Sequence, residues 1–462
     1  MSKKSIYSCQ ECGAQYGKWV GQCSECGKWN TIIEEVIDRG SYCGIGDKKS
    51  GARSSGHAIE VSDLGVEDEN ILETVRHDTG IKEFNRVIGG GIVDGSVVLF
   101  SGEPGIGKST LLLQLCNSAQ DRQFDCYYIS GEESMMQVKL RAKRLNIHAK
   151  NVKIAALTSI SDIITLIRRC KSPSIVIIDS IQTMHSEQIN SAPGTVSQVR
   201  ACTFELIKIA KLSAISIIIV GHVTKDGQIA GPKLLEHMVD TVLNFEGDSM
   251  HQYRIVRAIK NRYGSTNEIG IFEMASSGLE EVDNPSELFM SKRGQDVSGS
   301  CIFAGIEGSR SLLIEIEALV APSYLTMPRR AAIGWDANRL AMIIAILNSR
   351  FGLNITNKEV YLNIAGGLKI IEPALDLAVV VALISAVRDI NIPKDTVFFG
   401  EVALSGELRR VIQSDNRINE AIKLGFTRII MSDDNKKYDY DNIQIIKLRH
   451  ISELARLFDD IK

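Results

Sequence analysis

The spacing of hydrophobic residues changes along this chain, and each change marks a boundary. Residues 1–37 hold four cysteines and few apolar runs. From Asp38 to Asp63 the chain turns rich in Gly, Ser and Lys (GSYCGIGDKKSGARSSG) and loses periodicity, the composition of a flexible linker. From about Thr79, short apolar runs alternate with stretches of helical period. Ser96–Ser101 (SVVLFS), Cys126–Ser130 (CYYIS), Ser174–Asp179 (SIVIID) and Ile215–Val220 (ISIIIV) predict strands. The last two are continuous β-branched runs, as expected of strands buried on both faces of a parallel sheet. Helices are predicted over Thr110–Ala119 and Met135–Leu145, and further strands over Thr241–Phe245, Tyr253–Lys260 and Glu268–Met274. Strands alternating with helices imply a doubly wound α/β domain.

A second break falls at Val282-Asp283-Asn284-Pro285. Beyond it the pattern predicts strands at Ser300–Ile306, Ser311–Leu319 and Val397–Phe399, and helices at Arg339–Ser349, Leu375–Val387 and Ile418–Leu424. This is a separate α/β domain, and no internal repeat is visible.

Composition narrows the class. The chain is 44% hydrophobic and 24% charged, ordinary for a globular protein. A formal net charge of -3 means that any nucleic-acid contact comes from local basic patches. The longest apolar runs, Ile215–Val220 and Leu377–Ile384, are far short of a bilayer span, and no apolar leader follows Met1. The expectation is a soluble, cytoplasmic protein without membrane contact. Of ten cysteines, four cluster at Cys9, Cys12, Cys23 and Cys26, while Cys43 lies in the linker and the rest are scattered through apolar segments. That pattern suits a reducing compartment and one metal site.

Three motifs carry chemistry. Gly102-Glu103-Pro104-Gly105-Ile106-Gly107-Lys108-Ser109, followed by Thr110, matches the phosphate-binding loop G-x-x-x-x-G-K-[ST]. It lies directly after a predicted strand and before a predicted helix, the context an accidental glycine-rich turn lacks. The glycines let backbone N–H groups face the phosphates of ATP, Lys108 neutralises β/γ charge, and the Ser109 hydroxyl ligates Mg²⁺. Asp179 closes its strand as an acid suited to orient Mg²⁺, and Glu132 follows CYYIS at the carboxyl edge, placed to activate water. Glu133 reads as a solvated turn residue. Cys9-x2-Cys12 and Cys23-x2-Cys26 form two knuckles able to close a tetrahedral, structural Zn²⁺ site, with Gly13 and Gly27 following the second cysteine of each pair. Lys260-Asn261-Arg262-Tyr263-Gly264 closes a strand, and by spacing alone it reads as a charged turn.

A four-cysteine knuckle, this ATPase core, KNRYG and a C-terminal α/β domain, in that order, resemble the bacterial RadA (Sms) DNA-repair family over essentially the whole chain. The landmarks are Thr79-Gly80-Ile81, Gly89-Gly90-Gly91, GEPGIGKS, SGEES, Gly221–Gly227 (GHVTKDG), Leu235–Asp240 (LEHMVD) and KNRYG, where Tyr263 stands for the usual Phe. The resemblance implies a RecA-like P-loop ATPase core over residues 64–282, a C4-type zinc finger over 1–37, a linker over 38–63 and a Lon-protease-like domain over 283–462. It implies a hexameric ring ATPase that binds single-stranded and branched DNA and promotes branch migration with the RecA recombinase. Lys260 and Arg262 would then reach ATP bound by a neighbouring subunit. In the Lon-like domain, Ala374 stands where a nucleophilic serine is expected and Asp415 near the expected lysine, so no peptidase activity is expected. Lys358, Lys369, Arg329 and Arg330 there, and Lys225 and Lys233 after His222, are candidates for phosphate contact as much as for solvated surface. Two other classes stay open on the residues alone: an ATP-dependent protease, opposed by Ala374, and an ATPase acting only on proteins. Stimulation by single-stranded DNA separates the last from the first reading.

Overall fold

A computed structural model describes residues 4–9, 14–25, 27–29, 31–37, 75–120, 124–147, 152–171, 173–222, 234–247, 253–266, 268–290, 297–440 and 443–461. Cys12, Cys26, Cys43, Lys225 and Lys233 lie outside the described residues. The chain divides into two compact units, Met1–Glu246 with Arg254–Glu281, and Gly247–Tyr253 with Val282–Lys462.

The first unit contains a nine-stranded sheet. From one edge its strands run Gly278–Glu281, Ile269–Ala275, Tyr253–Asn261, Thr241–Glu246, Val97–Gly102, Ser216–His222, Ser174–Asp179, Asp125–Ser130 and Val152–Ala156. The last six pair in parallel, while Tyr253–Asn261 joins Thr241–Glu246 antiparallel. Alternation along each strand divides the apolar residues between two faces. Val98, Phe100, Tyr128 and Phe245 pack with Leu112, Leu115 and Cys116 of the helix Lys108–Gln120. Val97, Leu99, Val176, Ile178, Ile217 and Ile219 pack on the other face with Ile163, Ile167 and Leu206 from the helices Ile160–Ile167 and Val196–Ser213. Covering both faces explains why the strands read as unbroken hydrophobic runs.

The polar stretch Gln182–Arg200 contains the start of the helix Val196–Ser213. Its first turns bury Val196, Gln198 and Val199, and the Gln198 amide donates to the carbonyls of Ser186, Ile189 and Ser191. A glutamine that satisfies a loop's backbone passes as polar surface in the sequence while serving as core.

At the amino end, Lys4–Cys9 pairs antiparallel with both Gln15–Tyr16 and Ile32–Ile37. Cys9 and Cys23 are fully buried.

The second unit has a seven-stranded sheet in the order Arg330–Ile333, Lys358–Ile364, Arg310–Pro322, Ser300–Glu307, Thr396–Phe399, Arg428–Ser432, Gln444–Leu448. Ser300–Glu307 and Arg310–Pro322 form an antiparallel hairpin, and the strands from Thr396–Phe399 onward pair in parallel. The helix Asp376–Arg388 is buried from Asp376 through Ser385, so its apolar residues encircle it instead of forming one stripe. Two buried ion pairs flank its start. Arg339 pairs with Asp376, whose side chain is fully buried and also accepts from Val402 N at 3.0 Å. Arg417, fully buried, pairs with Glu372 and donates to Ala304 O at 2.6 Å. Arg417→Leu leaves Glu372 without its cation, with only Ile306 N, among the described residues, still donating to it at 3.0 Å, and is expected to destabilise this unit by about 3 kcal/mol. Scanning calorimetry of the full chain should show an earlier transition, and an unchanged profile would assign the pair no stabilising role.

Candidate active site

The phosphate loop joins the strand Val97–Gly102 to the helix Lys108–Gln120. Its glycines are required by geometry. Gly105 and Gly107 have φ of 79° and 117°, in the left-handed region, and a Cβ on Gly102 would sit 2.7 Å from the Phe245 carbonyl oxygen. No acidic residue occupies the first turn of the helix, so its positive end is left for an anion. Arg254, from the antiparallel extension of the sheet, braces the loop by donating from Nε to Ile106 O at 3.2 Å.

Lys108 is buried, and its ammonium donates to the carbonyls of Gly102 at 2.7 Å and Glu103 at 2.8 Å. Burial brings its pKa down to about 8, against the upward pull of Asp179, Glu132 and Glu103. A buried amine held only by neutral oxygens gains most from an arriving phosphate. Ser109 is the second residue of the helix, and its hydroxyl donates to Asp179 Oδ2 at 2.7 Å. The Tyr128 hydroxyl donates to the same oxygen. The phosphate-loop serine and the strand-end acid therefore converge, as two oxygen ligands of one hard cation must.

Glu132 sits at the carboxyl end of Asp125–Ser130, next to Asp179 in the sheet because Ser130 pairs with Asp179. Its Oε1 accepts from Ser180 Oγ and lies 3.0 Å from His222 Nε2. Burial raises its pKa, but Ser180, His222 and Lys108 outweigh that, and the carboxyl falls below its ordinary value. Glu133 points elsewhere and pairs with Arg141. Lys108, Ser109, Glu132 and Asp179 thus come together at the carboxyl edge of the parallel strands, where open α/β sheets bind ligands.

KNRYG lies at the other edge. Val242 pairs with Lys260 and Thr241 with Asn261, at the start of their strand. Lys260 Nζ donates to the carbonyls of Glu236, His237 and Val239 at 2.7, 3.2 and 2.8 Å. Half-exposed Arg262 meets Asp240 Oδ1 at 3.2 Å, and the other oxygen of Asp240 accepts from Val97 N at 3.1 Å. Arg262 is thereby anchored beside Val97, five residues of strand before Gly102. At about 3.3 Å per residue this is roughly 17 Å from the loop of its own chain.

In the amino-terminal module, Cys9 N donates to Ala14 O and Cys23 N to Lys28 O, both at 2.9 Å. Hydroxyls of Thr31 and Tyr16 approach the sulfurs of Cys9 and Cys23 at 3.2 and 3.1 Å. Hydroxyl groups beside sulfur suit metal-bound thiolates.

In the second unit, Ala374 is buried in the turn Pro373–Leu375, and its carbonyl accepts from Gly400 N at 2.8 Å. Asp415 lies in the first turn of the helix Ser414–Lys423 and pairs with Lys436 at 2.7 Å.

Sequence reasoning missed Tyr128, Ser180, Arg254 and Asp240 as site residues, and it gave His222 no part at the glutamate. Only the landmark segments containing His222 and Asp240 signalled them.

A phosphate loop, a hydroxyl and acid converging beside it, and a glutamate on the adjoining strand, all on one edge of a parallel sheet, define a RecA-like P-loop ATPase. Comparison with known families agrees. Residues 66–228 match an AAA domain, 7–34 a rubredoxin metal binding domain, and 330–435 the subunit ChlI of Mg-chelatase. The chain is 51% identical to the DNA repair protein RadA of Rickettsia felis, covering 98% of this chain and 99% of that protein. It is 50% identical to RadA of Brucella abortus over 92% of this chain and 91% of that protein. Among solved structures, the ATPase domain of G40P aligns with 46% of this chain and 92% of its own at 14% identity, with a TM-score of 0.39. The chain belongs to the RadA family of DNA repair proteins, as its landmark segments imply. Its C-terminal unit is the Lon-protease-like α/β domain expected from the sequence. Among the described residues, no helix is long and apolar enough to cross a membrane.

Proposed function

We propose that this chain is a DNA-dependent ATPase that works in the cytoplasm on single-stranded and branched DNA, promoting branch migration of RecA-mediated strand exchange as a hexameric ring. Residues 1–37 form a zinc finger, 38–63 a linker, 64–282 the motor and 283–462 a non-proteolytic scaffold. The observation that carries the ring is the placement of Arg262, anchored through Asp240 at the sheet edge opposite its own phosphate loop. An arginine so placed serves hydrolysis only in a neighbouring chain.

In this reading residues 102–110 hold the triphosphate. Ser109 and Asp179 hold Mg²⁺, which neutralises phosphate charge when bound. Glu132 takes a proton from water as its oxygen attacks the γ-phosphorus, the bond to the β–γ bridging oxygen breaks, and ADP leaves with the electron pair. Lys108 stabilises the β/γ charge, and Arg262 of the next chain stabilises the γ-phosphoryl group in transit. Lys260 serves the neighbour's ATP together with Arg262, and within its own chain it braces that turn by capping the carbonyls at Glu236–Val239. Cys9, Cys12, Cys23 and Cys26 hold one structural Zn²⁺, consistent with the matched rubredoxin metal binding domain. Ala374 offers no nucleophile, and the acidic Asp415 no activating amine.

The test is ATP turnover with and without single-stranded DNA. A rise of about tenfold or more on adding DNA is expected for a coupled motor, whose nucleic-acid and nucleotide sites share a coupling free energy of order 1 kcal/mol or more. An unchanged rate would favour an ATPase that acts on proteins alone.

A further inference from the structure

Glu132 is half exposed, yet its carboxylate is tied at one end. Both anchoring hydrogen bonds fall on Oε1, one from Ser180 Oγ and one from His222 Nε2 at 3.0 Å. The three residues come from three consecutive strands of the sheet: Glu132 follows Asp125–Ser130, Ser180 follows Ser174–Asp179, and His222 ends Ser216–His222. A carboxylate accepts only, so His222 carries its hydrogen on Nε2. Both anchors use Oε1 and neither uses Oε2.

We infer that His222, together with Ser180, is a positioning residue for hydrolysis: it fixes Glu132 by Oε1 so that Oε2 receives the proton of the attacking water. The inference rests on Glu132 being the base. An unanchored glutamate on a strand end samples several rotamers, and a displacement of about 1 Å from the productive geometry can cost about a hundredfold in rate. His222 ends the strand beside the one that bears the phosphate loop, in register with Gly102, but its ring meets Glu132, and Lys108 with the loop backbone is taken to hold the phosphates. Loss of His222 therefore acts on turnover and leaves ATP affinity in place.

The test uses the full chain. For His222→Ala, kcat should fall about a hundredfold while KM for ATP changes by less than about twofold. Ser180→Ala should lower kcat in the same sense. His222→Gln, whose amide N–H reaches a similar point, should recover most of the loss. Parental affinity for a fluorescent ATP analogue shows that each variant is folded. In a Glu132→Gln background, adding His222→Ala should cost less than about a further twofold, because the two act as a unit. Parental kcat in His222→Ala overturns the inference, as does a raised KM with unchanged kcat, which would assign His222 to ATP binding. A full further loss on top of Glu132→Gln also overturns it, since His222 would then act apart from the glutamate. Parental turnover by Glu132→Gln alone instead overturns the reading on which the inference rests.

Discussion

Lys108→Ala is expected to abolish ATP hydrolysis, with turnover falling by about a thousandfold or more. The lysine is placed behind the loop, donating to the carbonyls of Gly102 and Glu103, where burial brings its pKa down to about 8. It is therefore still mostly protonated at neutral pH, and an arriving phosphate supplies the negative partner that burial denies it. Alanine removes that charge and leaves the β/γ oxygens without their cation from the loop itself. Nucleotide affinity should weaken as well, because the interaction exists in the ground state and strengthens as charge builds in transfer. The variant keeps the strand Val97–Gly102 and the apolar face of Lys108–Gln120, so a native circular dichroism spectrum should accompany the loss. ATP turnover and equilibrium nucleotide binding check both parts. Hydrolysis at the parental rate would remove the phosphate loop from the mechanism.

Arg262→Ala is expected to lower DNA-stimulated turnover by about a thousandfold, the scale on which an arginine supplied in trans stabilises a transferring phosphoryl group. The reason lies in the sheet. Asp240 ties Arg262 to the start of the strand whose far end bears the phosphate loop, so the two parts of one chain stay apart. In a ring, an Arg262→Ala chain keeps its own loop but fails its neighbour, while a Lys108→Ala chain has the opposite defect. Mixing the two inactive variants creates some interfaces with an intact loop facing an intact arginine, and partial activity should return. Subunit exchange must be shown with labelled chains. With exchange shown, no recovery would count against action in trans. A loss of only about twofold in the single variant would leave KNRYG as a charged turn that anchors Asp240 and the helix Leu234–Met238, against the scale of the known fingers.

The parts of the protein written in local order were legible in the sequence. Buried strands announce themselves by β-branched runs, the phosphate loop by glycines at fixed offsets from Lys108, and the metal module by the spacing of its cysteines, because each depends on residues a few positions apart. Glu132 and Asp179 could be nominated for the same reason, each standing at the end of such a run. What joins them could not be read this way. His222 reaches Glu132 across 90 residues, Tyr128 reaches Asp179 across 51, and Asp240 reaches Val97 across 143. These partnerships follow from strand order and register, which place the ends of Asp125–Ser130, Ser174–Asp179 and Ser216–His222 side by side. Local periodicity says that each strand is buried but not which strand lies next to it. Gln198 and Arg417 belong to residue types that are usually exposed, and only packing shows that one satisfies a loop's backbone and the other pairs with Glu372. The separation of Arg262 from its own phosphate loop was likewise decided by tertiary structure, since an antiparallel strand returns KNRYG to the edge of the sheet from which the loop strand departs.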